Sequence, residues 1–253
     1  MAGGLGKRMN SDIPKVLHKV IVPKSKYNKV PMLVQVIVTA QTFSPKKIFI
    51  IVGKYKDLIE TTINSYSDIV RTDLIEYVIQ EEALGTGHAI LCTLPQIKEY
   101  CEDNALILSG DVPLISQETI EGLCQENNKL LVTILDEPYG CGRVIFDAFG
   151  QILCIVEEKD CIDSIKKLQT VNCGIYNIKV NNLLNLIPLI KNNNKANEYY
   201  LTDIIELMVM NNININAYIL PKKRLYEIKN VNTTQDLDSL NKYIVDNSDN
   251  FLT

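Results

Sequence analysis

Short apolar runs rich in β-branched residues, each stopped by a turn or a polar residue, constrain this chain more than any other feature. They are "KIFIIVG" (47–53), "LIEYVIQ" (74–80), "ALILSGD" (105–111), "LLVTIL" (130–135), "TVNCGIYNI" (170–178) and "INAYIL" (215–220). Through the first half they alternate with stretches of helical length. "MLVQVIVTAQTF" (32–43) follows Pro31, 86–94 follows a glycine turn, and 116–128 opens with Ser116 as N-cap and Glu118 in its first turn. Such alternation predicts a layered α/β architecture, a mainly parallel sheet with helices on both faces.

After residue 140 the rhythm changes. "GRVIFDAFGQILCIVEE" (142–158) reads as a hairpin turning near Gly150, so the sheet becomes mixed there. Helices are expected over 197–211 and 233–246, the latter capped by Thr233 or Thr234. There is no internal repeat and no long linker, which predicts one domain over residues 1–253, with a C-terminal helix and tail from about 233.

Charge and cysteine content narrow the function classes. The 253 residues carry a net charge of −4, which offers no general attraction to nucleic acid or anionic membrane, so an anionic ligand must be held by local groups. No apolar stretch approaches the roughly 20 residues of a membrane span, and the N-terminus lacks a secretory pattern. The seven cysteines are an odd number with no C-x-x-C pair, and only His18 and His88 could join them at zinc. Reduced, mostly buried thiols in a cytoplasmic protein are expected.

The opening "MAGGLGKRMNSDIPKVLHKV" is rich in glycine and base. It fits neither a Walker A loop, because Arg8 follows Gly6-Lys7, nor G-x-G-x-x-G, because Lys7, Arg8 and Met9 follow Gly6. What it does offer is backbone N–H groups free of Cβ interference, with Arg8 and Lys15 as fixed positive charges: an anion nest suited to a triphosphate. A flexible basic N-terminus is the plainer alternative. "QEEALGTGHA" (80–89) places Gly85-Thr86-Gly87 at a helix start, with free N–H groups for an anion or a base edge, or as a simple turn. "LILSGDVPL" (106–114) ends a strand in Asp111, a candidate for a hard cation such as Mg²⁺, or a turn cap.

Together and in order, these segments resemble the uridyltransferase domain of the bacterial N-acetylglucosamine-1-phosphate uridyltransferase family, within the sugar-1-phosphate nucleotidyltransferases. "GGLGKRM…SDIPKVLH" is similar to that family's G-x-G-T-R-M…P-K-V-L-H signature. "QEEALGTGHA", "GDVPLIS", "GCGRV", "IVEEKD", "VNCGIY", "EYYLTDII" and "KNVN" follow in family order, to about residue 240. The resemblance implies a Rossmann-like three-layer α/β/α fold and a small-molecule enzyme, a monomer or weak homo-oligomer, with UTP, N-acetylglucosamine-1-phosphate and Mg²⁺ as its ligands. It implies that Ala2, Gly3 and Gly4 hold the nucleotide, that Arg8 faces the β- and γ-phosphates, and that Lys15 lies against the α-phosphate. Gln80, with Gly85 and Thr86, reads uracil; Asp111 and Asn232 hold the metal. On the sugar side it implies Gly142, Glu157, Asn172, Tyr199 and Thr202, with Glu158 left as a solvated charge and Asn172 buried in an apolar strand.

This sequence departs from the family pattern at Lys7, where Thr is usual, and at Ser109, where Tyr is. Cys141 and Cys173 replace the more usual Tyr and Thr near the sugar. The family also carries an apolar strand before the glycine loop, and Met1 stands where that strand should end. A central strand is thus expected to be missing from the chain, leaving neighbouring backbone groups unpaired unless the true start lies upstream. No hexapeptide repeats follow residue 240, so no left-handed β-helix and no acetyltransferase activity are expected. Two alternatives stand beside the leading reading: a uridyltransferase for another sugar, such as glucose-1-phosphate, and a non-catalytic UDP-sugar-binding relative.

Overall fold

The computed structural model describes residues 1, 2, 9, 11–23 and 26–248. In chain order the strands are β1 (Lys19–Ile21), β2 (Lys29–Pro31), β3 (Ile48–Val52), β4 (Ile75–Ile79), β5 (Asn104–Ile107), β6 (Lys129–Ile134), β7 (Arg143–Phe146), β8 (Ile152–Val156), β9 (Thr170–Lys179) and β10 (Asn216–Ile219). The α-helices are α1 (Met32–Gln41), α2 (Lys56–Asn64), α3 (Thr86–Leu91), α4 (Leu94–Ile97), α5 (Gln117–Cys124), α6 (Asp163–Lys166), α7 (Val180–Leu186), α8 (Asp203–Met210) and α9 (Thr234–Asp246). The chain divides into two compact units: Met1–Glu81 with Ser109–Gln117 and Tyr226–Thr253, and Glu82–Leu108 with Glu118–Leu225.

The first unit contains the β1–β2 hairpin and the parallel pair β3–β4. Its core forms where Leu33, Val34 and Ile37 of α1 meet Ile50 and Val52 of β3, and Ile59 and Ile63 of α2. The four-residue spacing of Ile59 and Ile63 gives α2 its apolar stripe. Leu240 and Ile244 repeat that spacing in α9 and close on Met9, Val20, Met32 and Val231. Helix α9 starts at a capping box: the Asp236 N–H donates to the Thr233 hydroxyl, and the Thr233 N–H donates to Asp236 Oδ2. Thr233, of the two candidates, is therefore the cap.

Met1 and Ala2 add backbone bonds at the end of β3. The Ala2 N–H donates to Ile51 O at 2.9 Å, and the Gly110 N–H donates to Met1 O at 3.1 Å. At Ile51 and Gly110, then, the backbone groups that a missing neighbour would have left unpaired have partners.

The second unit is a six-stranded sheet in the order β10-β6-β9-β7-β8, with β5 also on β9. Strand β9 is its spine. β6 runs along one edge of it, while β5 takes residues 176–179 and β7 meets Val171 on the other. All three pairings are antiparallel, as is the β7–β8 hairpin. Among the described residues parallel pairing is confined to β3 with β4 and β10 with β6, so the sheet is mixed rather than mainly parallel. The reason is β9: one long strand takes β6, β5 and β7, and each reaches it antiparallel. Five of the six residues of β6 are buried, which explains the continuous apolar run in its sequence.

Several element boundaries differ from the sequence pattern. The 105–111 run leaves β5 after Ile107, and the 197–211 helix begins only at Asp203, because 199–201 bonds elsewhere. The β1–β2 hairpin had no alternating apolar signal. All seven cysteines are free thiols, but only Cys161 is buried and Cys124 is exposed, so the thiols are mostly half-buried. No helix among the described residues is long and apolar enough to cross a membrane.

Candidate active site

In the first unit, the Pro14-Lys15-Val16-Leu17-His18 segment forms one 3-10 turn over Lys15–Leu17. Val16 and Leu17 are driven into the core, and the turn leaves Lys15 on the side away from them. The Lys15 ammonium is ion-paired with Asp111 Oδ2 and donates to Asn232 Oδ1 at 3.0 Å. The side chains of Lys15 and Asp111 are 15% and 12% exposed, so the pair is largely out of water and weakly screened. Ser109 Oγ donates to the other carboxylate oxygen, Asp111 Oδ1, at 2.5 Å. Both oxygens of Asp111 are thus engaged, by one neutral and one cationic donor.

Asn232 reaches this cluster from 121 residues further along the chain (232 − 111) because the preceding residue is tied to it: the Val231 N–H donates to Asp111 O at 3.0 Å. The α9 capping box fixes the other side, with the Asn232 N–H donating to Asp236 Oδ2 at 2.9 Å. Ala2 is buried at the end of β3, and Gln80 is buried where β4 ends, its N–H donating to Val52 O. Gly3, Gly4 and Arg8 lie outside the described residues.

In the second unit, Gly85-Thr86-Gly87 is joined to Tyr199-Tyr200-Leu201. The Tyr199 N–H donates to Leu84 O, the Gly87 N–H to Tyr199 O, and the Leu201 N–H to Thr86 Oγ1, at 2.8, 2.7 and 3.0 Å. The Gly87 N–H is therefore not available to an anion, contrary to the reading of this turn as a row of free donors, and the Thr86 hydroxyl holds the adjoining segment. Glycine is required at 85, where φ is +116° and a Cβ would lie 2.5 Å from Tyr199 O.

The other residues expected on the sugar side meet around Glu157. Thr202, buried at the start of α8, donates its hydroxyl to Glu157 Oε1 at 2.9 Å. A Cβ at Gly142 would meet both Glu157 carboxylate oxygens at 3.4 Å and Ile155 Cγ2 at 2.9 Å, so that position has room for hydrogen only. The Asn172 N–H donates to Gly142 O at 2.9 Å. Asn172 is half-buried rather than buried, and both ends of its amide are engaged, Nδ2 to Tyr176 Oη at 2.7 Å and Oδ1 from the Gly174 N–H at 3.0 Å. This local loop sits where β9 slips register against β6, between Leu130 and Val132.

Burial raises the Glu157 carboxyl above the usual range against the opposing Thr202 bond, with Asp160 and Glu198 adding to the rise. Asp203, at the start of α8, is pushed up to about 6 by burial and then by Glu206, Glu157 and Asp160. Among the described residues no group of three His, Cys, Asp or Glu is placed to share a metal. Glu158 is not a solvated charge: it pairs at 2.7 Å with Arg143, which is 2% exposed and also donates to Leu168 O.

The sequence motifs thus form two sets. Lys15, Asp111 and Asn232 converge in one unit, while Gly142, Glu157 and Thr202 converge in the other, with Asn172 bonded to Gly142 and Tyr199 bonded to the Gly85 turn. Ser109 stood out in the sequence only as a departure, and its bond to Asp111 had no signal of its own.

A family model described as the MobA-like NTP transferase domain matches residues 1–175. A protein of Acanthamoeba polyphaga mimivirus, named as a probable UDP-N-acetylglucosamine pyrophosphorylase, is 42% identical over 247 residues, covering 94% of this chain and 92% of that protein. The bifunctional protein GlmU of Legionella pneumophila (strain Philadelphia 1) is 36% identical over 251 residues; the match covers 96% of this chain and 50% of GlmU. The fold is shared with an apo UDP-glucose pyrophosphorylase, at a TM-score of 0.71 and 14% identity over 98% of this chain and 97% of that one. It is also shared with a putative glucose-1-phosphate thymidylyltransferase of Bacillus anthracis, at 0.65 and 20% identity over 96% and 92%. With its α/β fold, its mixed sheet and a family match over most of its length, the chain belongs to the MobA-like NTP transferase domain family of nucleotidyltransferases.

Proposed function

We propose that this nucleotidyltransferase moves the uridylyl group of UTP to N-acetylglucosamine-1-phosphate, giving UDP-N-acetylglucosamine and pyrophosphate. A non-bridging oxygen of the sugar phosphate attacks the α-phosphorus. The bond from that phosphorus to the oxygen it shares with the β-phosphate breaks, and pyrophosphate leaves with the electron pair. No acid–base residue is demanded; positioning and charge neutralisation suffice.

The observation that carries this reading is the convergence of Lys15, Asp111 and Asn232. One carboxylate oxygen and one amide oxygen directed at a single positive centre form a donor set suited to a hard cation. A divalent ion there, which we take to be Mg²⁺, neutralises phosphate charge when bound. Lys15 supplies its ammonium to the α-phosphate, where negative charge grows during attack, and Arg8 faces the β- and γ-phosphates. The backbone of Ala2, Gly3 and Gly4 holds the nucleotide, while Gln80, Gly85 and Thr86 read the base.

On the sugar side Glu157 is a half-buried acceptor suited to a sugar hydroxyl. Thr202 holds it in place, Gly142 leaves room above it, and Asn172 and Tyr199 contact the acetamido sugar. The acidic surroundings of Glu157 favour hydroxyl donors over a second phosphate at that point. We place the enzyme in the cytoplasm, as a monomer or weak homo-oligomer.

The test is pyrophosphate release with UTP, Mg²⁺ and either N-acetylglucosamine-1-phosphate or glucose-1-phosphate. Release with the acetylated sugar alone is expected. Release with glucose-1-phosphate alone would overturn the sugar assignment, and silence with both would favour a binding protein.

A further inference from the structure

Asp111 already holds a cation, and it is a side chain of its own protein. The Lys15 ammonium takes the Oδ2 oxygen of Asp111 and the Oδ1 oxygen of Asn232, the two atoms assigned above to a divalent ion. An ammonium and a dication held by the same two oxygens repel each other strongly at contact distance, so occupancy by one weakens the other. We propose that Lys15 and a divalent cation compete for the Asp111–Asn232 oxygens, so that the ion enters only as Lys15 leaves. The inference rests on the reading of Asp111 as a cation ligand.

Two features make the exchange workable. Lys15 is a point charge on a flexible four-carbon stem, so its ammonium can leave Asp111 without moving the 3-10 turn that Val16 and Leu17 hold in the core. Ser109 remains on Oδ1 and keeps the carboxylate aimed while its other oxygen changes partner. The consequence is an order of events. In the absence of nucleotide the carboxylate is already neutralised, and a metal ion gains little by displacing the ammonium. A phosphate group offers the ammonium a new anion and frees Asp111 for the metal. Nucleotide and metal therefore bind with positive coupling, and Lys15 is the element that couples them.

The experiment measures Mn²⁺ binding to the full chain without nucleotide, from the free-ion paramagnetic resonance signal. Lys15→Met and Lys15→Gln are each expected to bind Mn²⁺ about tenfold more tightly than the wild type. Lys19→Met removes the same charge from an exposed position and is expected to leave the affinity unchanged. The gain is expected to vanish when Asp111→Asn is added to Lys15→Met. No gain in either Lys15 variant, or an equal gain in Lys19→Met, overturns the competition; circular dichroism on the same samples shows that the variants are folded. If Mn²⁺ binding in the presence of UTP is also indifferent to Asp111→Asn, the metal-site reading falls too. If that binding needs Asp111 while the Lys15 variants show no gain, only the competition falls.

Discussion

The Thr202 hydroxyl donates to Glu157 Oε1 at 2.9 Å, joining the start of α8 to the end of β8 and opposing the rise that burial imposes on the carboxyl. Replacing Thr202 with Val keeps the shape and deletes this bond. The variant is expected to lose about 1 kcal/mol of stability. Its acid limb for sugar-phosphate KM should also move to higher pH than in the wild type, because Glu157 must be ionised to accept from the sugar and now gives up its proton later. A pH profile of KM for N-acetylglucosamine-1-phosphate, with the KM for UTP as control, checks this.

Lys15→Ala is expected to lower kcat by about 10²–10³-fold, the scale of losing one preorganised donor at developing charge. The circular dichroism spectrum should be unchanged, because Val16 and Leu17, not Lys15, hold the turn. Steady-state pyrophosphate release checks the rate.

Asp203 contributes a stability term whose sign follows from its raised carboxyl. With a value pushed up to about 6 in the folded protein and near 3.9 in the unfolded chain, the native state binds the proton more tightly. The stabilising contribution is complete below about pH 4 and is lost as pH rises through about 6. Asp203→Asn should therefore exceed the wild type in stability at pH 7, by about 1 kcal/mol after allowance for solvent screening, and the gap should close toward pH 4. Urea denaturation at the two pH values measures both.

Gly85→Ala places a Cβ 2.5 Å from the Tyr199 carbonyl at a φ of +116°. The expected cost is roughly 1–3 kcal/mol, read as a lower Tm, together with weaker UTP binding as the loop shifts. Gly150→Ala, at φ +81° with open space around its Cβ, separates the two contributions: it carries the backbone strain without the clash, and its loss should be the smaller.

Much of the site was readable because its residues sit in short, ordered motifs. "PKVLH" marked Lys15 as a fixed positive charge close behind the glycine-rich opening, and "LSGD" marked Asp111 through the end of an apolar run. Asn232 could be assigned only through resemblance. Its approach to Asp111 depends on the Val231 backbone bond, a contact between segments far apart in sequence. Gly87 departs from the anion-donor expectation for a similar reason. Glycine at a helix start signals accessible N–H groups, but which group stays accessible depends on what packs there, and Tyr199 takes this one.

By itself the sequence determined the α/β class and most strands and helices, for which local periodicity suffices. Residue chemistry and spacing pointed to Lys15 and Asp111, while the expected sugar residues and Asn232 came only from the resemblance. Tertiary structure alone decided that β9 gathers antiparallel partners, that Glu158 serves Arg143 while Glu157 faces Thr202, and that Asp111 holds Lys15. Each of these outcomes is a pairing between distant segments. Hydrogen bonds and charges find partners by proximity in space, which a one-dimensional pattern does not contain.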